Sequence, residues 1–142
     1  MLLRWLPYAL LCSLFLASAD FFVKLASNRI SSSMGMLIYG ATTFTVGLLW
    51  VGYLKLTRQP LLITQPGLFY SFAVGLAFSA VTILLYVTFA RVSVSLGSPT
   101  IRALGIVIAS TLGILLLHEP FTWRYLFGLV MTIAGVALIV FR

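Results

Sequence analysis

Five apolar segments, each long enough to cross a bilayer as a helix, occupy nearly all of this 142-residue chain. A span needs about 20 mostly apolar residues at ~1.5 Å rise each. That length divides the sequence at about residues 5–26, 35–54, 67–90, 100–117 and 125–141. The connections Ser27 to Met34, Lys55 to Pro66, Arg91 to Pro99 and His118 to Arg124 carry most of the charges and leave no room for a soluble domain. Transmembrane barrel strands would read as alternating segments of about ten residues, whereas these runs are continuously apolar. Lipid offers the backbone no hydrogen-bond partner, so helices are the economical solution. The expected fold is an all-α integral membrane protein, a single domain over residues 1–142 with five transmembrane helices. An odd helix count places the two termini on opposite faces of the membrane.

Composition agrees and narrows the function. The chain is 62% hydrophobic and 8% charged, with mean hydropathy +1.17, where a soluble domain carries about a quarter charged residues. The net charge of +7 does not signal nucleic acid, because the nine Lys and Arg are scattered singly between apolar runs and form no basic stripe. They read as loop charges facing lipid headgroups. Cys12 is the one cysteine, so no disulfide can close within the chain, and its apolar setting reads as a small core or lipid-facing position. One histidine and two distant acids make a poor metal site. No nucleophile, base and orienting group fall into one constellation, so neither an enzyme nor a cofactor is expected.

The amino terminus carries a competing pattern. Arg4, an apolar run and Ala17-Ser18-Ala19 resemble a secretory signal with a cleavage site before Asp20. Apolar character resumes at Phe21, Phe22 and Val23, so the stretch reaches spanning length and is expected to be a helix.

Loop charges ordinarily fix orientation, and here they nearly balance. Arg4, Lys55, Arg58 and Arg124 fall on one side, against Lys24, Arg29, Arg91, Arg102 and Arg142 on the other, four against five. Two readings stand. Either the polypeptide inserts both ways and pairs antiparallel with itself, or a weak bias fixes one orientation and a related partner chain supplies the other half as a heterodimer.

Several faces bear on packing and on substrate. Gly105, Ala109 and Gly113 recur every four residues on the fourth segment, and Gly128, Thr132 and Gly135 make a similar small face on the fifth. Such faces let helix backbones approach in lipid, within one bundle or between chains. A second pair of stripes is polar and aromatic: Tyr39, Thr43, Gly47 and Trp50 on the second segment, and Ser71, Gly75, Ser79, Thr82 and Tyr86 on the third. Turned toward each other they would line a cavity with hydroxyls and rings, suited to an amphiphilic or cationic guest. Helix-to-helix hydrogen bonding is the alternative. Trp5, Tyr8, Tyr53, Tyr70, Trp123 and Tyr125 read as interface anchors.

Ionic chemistry has few candidates. Asp20 and Lys24 stand four apart in the favourable order for a helical ion pair. An acid at membrane depth is costly and so a candidate for proton coupling or cation binding, although Lys24 can equally snorkel to headgroups beside a structural Asp20. Glu119, in His118-Glu119-Pro120, is expected at a helix junction: Pro120 ends one helix and the carboxylate meets free amides of the next. Arg102, three residues after the junction residue Pro99, is expected in the first turn of the fourth helix. There the dipole disfavours a cation, and an anionic headgroup or phosphate would compensate it, snorkelling being the alternative.

The stretch Leu96-Gly97-Ser98-Pro99, the small-faced helix to Gly113, then His118-Glu119-Pro120-Phe121-Thr122, Gly128 and Ala134-Gly135-Val136 resemble the carboxy-terminal part of an EamA-type domain of the drug/metabolite transporter superfamily. Phe22-Val23-Lys24-Leu25-Ala26 resembles the end of that domain's first helix, and the likeness covers all five segments. Ten-helix members contain two such domains in tandem with inverted orientation. The resemblance thus implies one inverted-repeat half of a ten-helix architecture, working by alternating access in a bacterial cytoplasmic membrane on a small metabolite, drug or amphiphile. The related small multidrug resistance proteins carry a Glu about two turns before the first-helix Lys, where this chain has Leu16. Lipid-linked aminosugar flippase subunits of the same superfamily dispense with that Glu, and the likeness to them would make Arg102 or Lys24 phosphate contacts. A structural or assembly subunit without a transport path is the third reading.

Overall fold

The computed structural model describes residues 5–141. Arg4 and Arg142, both counted above among the loop charges, lie outside them. All regular structure among the described residues is helical: α1 (Leu6–Ser27), α2 (Ser32–Leu56), α3 (Gln65–Arg91), α4 (Val94–Leu116) and α5 (Trp123–Val140). Each is long and apolar enough to cross a membrane. Helix α1 runs unbroken through Ala17-Ser18-Ala19.

The helices extend past the apolar runs because polar residues cap them. Ser31 accepts the Met34 N–H at 3.3 Å to open α2, Thr64 accepts the Gly67 N–H at 3.3 Å at the start of α3, and Thr122 accepts the Tyr125 N–H at 3.3 Å to open α5. Each satisfies one of the amides a helix start leaves free. Helix α2 closes with Arg58 in the left-handed region at φ 53°. There the Arg58 N–H donates to Lys55 O at 3.1 Å and the Gln59 N–H to Leu54 O at 2.9 Å, a pattern that satisfies end carbonyls.

The largest departure from expectation is α4. It begins at Val94, not near Thr100, and Pro99 lies inside it. Pro99 is therefore no junction. Near the start of a helix a proline removes one ladder bond, and such a loss is tolerated in a span where other groups satisfy the backbone. Thr100 Oγ1 adds a bond to Leu96 O at 2.7 Å.

The chain packs as two compact units, and α1 contributes to both. The first comprises α1 up to Asp20 with α4 and α5; the second comprises the rest of α1 from Phe21 with α2 and α3. In the first, α4 packs on α5, and Asp20, Gly97, Ala103 and Gly113 are buried. In the second, α2 packs on α3, Phe89 is fully buried, and the Tyr86 ring occupies the space a Gly35 side chain would fill. Large apolar residues on all five helices otherwise point outward, as expected where lipid is the solvent and packing, not hydrophobic contrast, holds helices together.

Candidate functional site

The polar stripes of α2 and α3 come together over part of their length. Tyr39 and Thr43 on α2, with Ser71 and Ser79 on α3, line one groove of about 360 Å³, whose apolar walls include Met36, Phe44, Val74 and Phe78. Gly40 and Gly75 lie in the lining and keep it open. Thr43 Oγ1 donates to Tyr39 O and Ser79 Oγ to Gly75 O, each at 2.8 Å. Both hydroxyl protons are thereby committed to the helix, and what the two groups offer the groove is acceptor lone pairs. Among the described residues the Tyr39 phenol has no hydrogen-bond partner, which leaves its O–H to face the groove.

Three of the seven residues expected to line the cavity lie elsewhere. Tyr86 packs its ring against Gly35. Thr82 is buried and donates to Phe78 O at 2.8 Å. Trp50, 62% exposed, stands with its ring 5.7 Å from that of Tyr53. The physical reason is register: the close Gly35–Tyr86 contact shuts the stripe at one end, and Trp50 sits beyond the other.

The charged candidates divide differently from expectation. Asp20 is 2% exposed, and its carboxylate is met from α4. Its Oδ2 accepts the Ser98 hydroxyl at 2.5 Å, and Arg102 Nη2 lies 3.0 Å from both Oδ1 and Oδ2. Arg102 lies past the first turn, since α4 starts eight residues earlier, and the guanidinium is held by an acid from α1. Lys24 Nζ donates to Phe89 O at 2.5 Å, a carbonyl in the last turn of α3. It caps that helix end.

At the α4–α5 junction, α4 ends at Leu116, His118 takes φ 53°, and the Glu119 N–H donates to Gly113 O at 3.3 Å. This turn folds the Glu119 side chain back over Gly113, where an added Cβ would lie 2.6 Å from Oε2. Glu119 therefore does not cap α5; Thr122 does. Pro120 lies in the connection between the two helices, as expected of a residue that cannot continue one.

Sequence reasoning passed over Ser98 as a ligand of Asp20, although its spacing four before Arg102 places both on one face of α4. It also read Tyr125 only as an interface anchor, whereas its hydroxyl bonds to that of Ser110 and ties α5 to α4. The Phe89 carbonyl carries no side-chain signal and could not have been found that way.

Comparison with curated proteins and with solved structures finds no match to either. The family comparison does: residues 3–141 match the EamA-like transporter family. Five helices of spanning length and a match over nearly the whole chain place this protein in the EamA-like transporter family, among the membrane proteins of the drug/metabolite transporter superfamily.

Proposed function

We propose that the chain is half of an alternating-access carrier that pairs antiparallel with a second copy in a cytoplasmic membrane and moves a small amphiphilic cation. The observation that carries this reading is the α2–α3 groove, where Tyr39, Thr43, Ser71 and Ser79 bring hydroxyls to an otherwise apolar wall. The Thr43 and Ser79 oxygens act as acceptors for N–H groups of the guest, and the Tyr39 ring offers its face to a cation. Phe44 and Phe78 receive the apolar body.

Two observations support the pairing. The near balance of positive loop residues permits both orientations, and inverted repeats are a common basis of alternating access. Nothing lies within 4 Å of a Cβ added at Gly128 or Gly135, so the small face of α5 is open to a second helix. Asp20 enters this reading as the group that holds Arg102, because both its oxygens are already occupied.

The test is movement of ethidium, an aromatic amine cation, across proteoliposomes containing purified protein. Replacing Tyr39 with Phe, Thr43 with Val and Ser79 with Ala together should slow it about ten-fold or more, since lost hydrogen bonds to a charged guest act in concert. Transport by the triple variant at the wild-type rate would remove the groove from the path.

A further inference from the structure

The α2–α3 groove is lined by uncharged side chains throughout, and the unit that contains it holds no acid. Carboxylates, imidazoles and thiols are the side chains that titrate nearest neutral pH, and residues 21–91 contain no Asp, Glu, His or Cys. The charged side chains of this unit are Lys24, Arg29, Lys55, Arg58 and Arg91, all of them bases. Lys24, Lys55 and Arg91 stand in the last turns of α1, α2 and α3, and Arg29 and Arg58 in the connections. Tyr39 is the tyrosine of the lining, while Tyr86 packs on Gly35, Tyr53 on Trp50 and Tyr70 on Phe69. Both acids and the histidine of the chain belong to the other unit. There Ser98 and Arg102 hold the two oxygens of Asp20, and the Glu119 carboxylate lies over Gly113.

The groove hydroxyls sit midway along their helices. Thr43 is 11 residues from the start of α2 and 13 from its end, and Ser79 is 14 from the start of α3 and 12 from its end. At ~1.5 Å per residue both lie roughly 16–21 Å from either helix end. Substrate sites of inverted-repeat carriers lie near the bilayer midplane, where a bound ion has crossed about half of the membrane potential. A carboxylate at that depth would exchange a proton for the cation and send positive charge back on the return step. Without one, the empty groove is neutral and the loaded groove carries the charge of its guest alone.

We infer that the groove carries its cation as an electrogenic uniporter, drawn by the membrane potential and indifferent to the proton gradient. The inference rests on the carrier reading above and adds its driving force. Each cycle moves one positive charge inward or outward, and no proton returns. The rings of Tyr39, Phe44 and Phe78 stand where other sites place a counter-ion, since an aromatic face attracts a cation most strongly when both are desolvated.

Ethidium keeps its charge at every pH, so its accumulation in proteoliposomes, corrected for protein-free liposomes, reports the driving force. With pH equal on both sides, an inside-negative potassium diffusion potential set by valinomycin should concentrate it about 50-fold per ~100 mV. With potassium equal on both sides and valinomycin clamping the potential to zero, an acid interior should concentrate it no more than equal pH does. Binding in detergent, read by ethidium fluorescence, should stay within about two-fold from about pH 5.5 to 8.5, where a carboxylate trading its proton for the guest loses about ten-fold per unit below its pKa. Accumulation driven by the pH gradient at zero potential, or binding that falls steeply with acid, would overturn the uniport and leave the carrier reading standing. Accumulation under neither gradient, or potential-driven accumulation unchanged in the triple variant of Tyr39, Thr43 and Ser79, would remove that reading and this inference with it.

Discussion

Lys24 Nζ donates to the carbonyl of Phe89 at 2.5 Å, so a cation from the end of α1 closes the carboxy-terminal turn of α3. The last four carbonyls of a helix have no partner inside it, and the helix dipole places partial negative charge there. In lipid no water is at hand to replace the contact. Lys24→Met is expected to cost about 1–3 kcal/mol, the range for a hydrogen bond to a charged group. Amide exchange measured on the detergent-solubilised protein should quicken over residues 87–91 and stay unchanged in α5. Equal protection of the α3 end in wild type and variant would refute the cap.

The Asp20–Arg102 pair predicts unequal costs for its two halves. Removing the cation leaves a carboxylate that is 2% exposed without its counter-ion, whereas removing the acid leaves a guanidinium that is already 42% exposed and can extend to the headgroups. Arg102→Gln should lower stability by roughly 2–4 kcal/mol, below the full penalty of a completely buried pair because Arg102 is partly exposed. Asp20→Asn should cost about 1 kcal/mol, since the amide keeps the Ser98 contact. Unfolding titrations of both single variants and the double variant decide the matter. The double variant should lose less than the sum, and additive losses would mean that the two groups do not interact.

The five spans were legible because lipid imposes one rule along the whole chain, a run of about 20 apolar residues per crossing. Their ends were less so, since a helix continues to its caps beyond the apolar run, as α4 does by beginning at Val94 with Pro99 inside. The pairing of charges was misread for a related reason. Sequence spacing exposes neighbours on one helix, such as Asp20 and Lys24, but the partners of Asp20 come from α4, 78 and 82 residues away. Half-polar stripes predicted the groove through Tyr39, Thr43, Ser71 and Ser79. They could not reveal that Gly35 admits the Tyr86 ring and ends it.

That last contact makes a prediction of its own. A methyl at Gly35 would collide with the Cζ, Cε1 and Cε2 atoms of Tyr86, a rigid ring end that cannot fold aside. Gly35→Ala should therefore destabilise the α2–α3 pair by about 1–3 kcal/mol, the usual cost of overpacking. Tyr86→Leu should cost a similar amount by leaving a void. The double variant should be more stable than the sum of the two losses predicts, because the shorter side chain leaves space for the methyl. Thermal melts of the four proteins in one detergent test this, and strict additivity would place the ring elsewhere.

At the start of α5 the hydroxyl of Thr122, not the carboxylate of Glu119, meets the first free amides. Thr122→Ala is expected to cost about 1 kcal/mol, typical of a lost N-cap, and to raise amide exchange at Tyr125. Glu119→Ala should leave exchange at Tyr125 unchanged, since its side chain lies over Gly113. The reverse ranking would restore the dipole role that the sequence suggested for Glu119.

Pairing through the small face of α5 can be separated from orientation. Gly128 and Gly135 stand seven apart, two turns on one side of α5, and a Cβ added at either meets nothing within 4 Å among the described residues, so leucine at either position should leave the fold intact. Across a helix–helix contact the same leucine would hold the backbones apart. Gly128→Leu and Gly135→Leu should each weaken self-association about ten-fold or more, a loss of roughly 1.4 kcal/mol or greater, read by fluorescence energy transfer between labelled copies diluted into liposomes. A reporter fused after Arg142 supplies the second axis. Signal from both faces of the membrane in wild type, unchanged in the leucine variants, is the expected pattern, because loop charge sets insertion before the chains meet. Signal from one face only, with association intact, would mean a parallel pair, and the inverted-repeat architecture would then require a different partner chain.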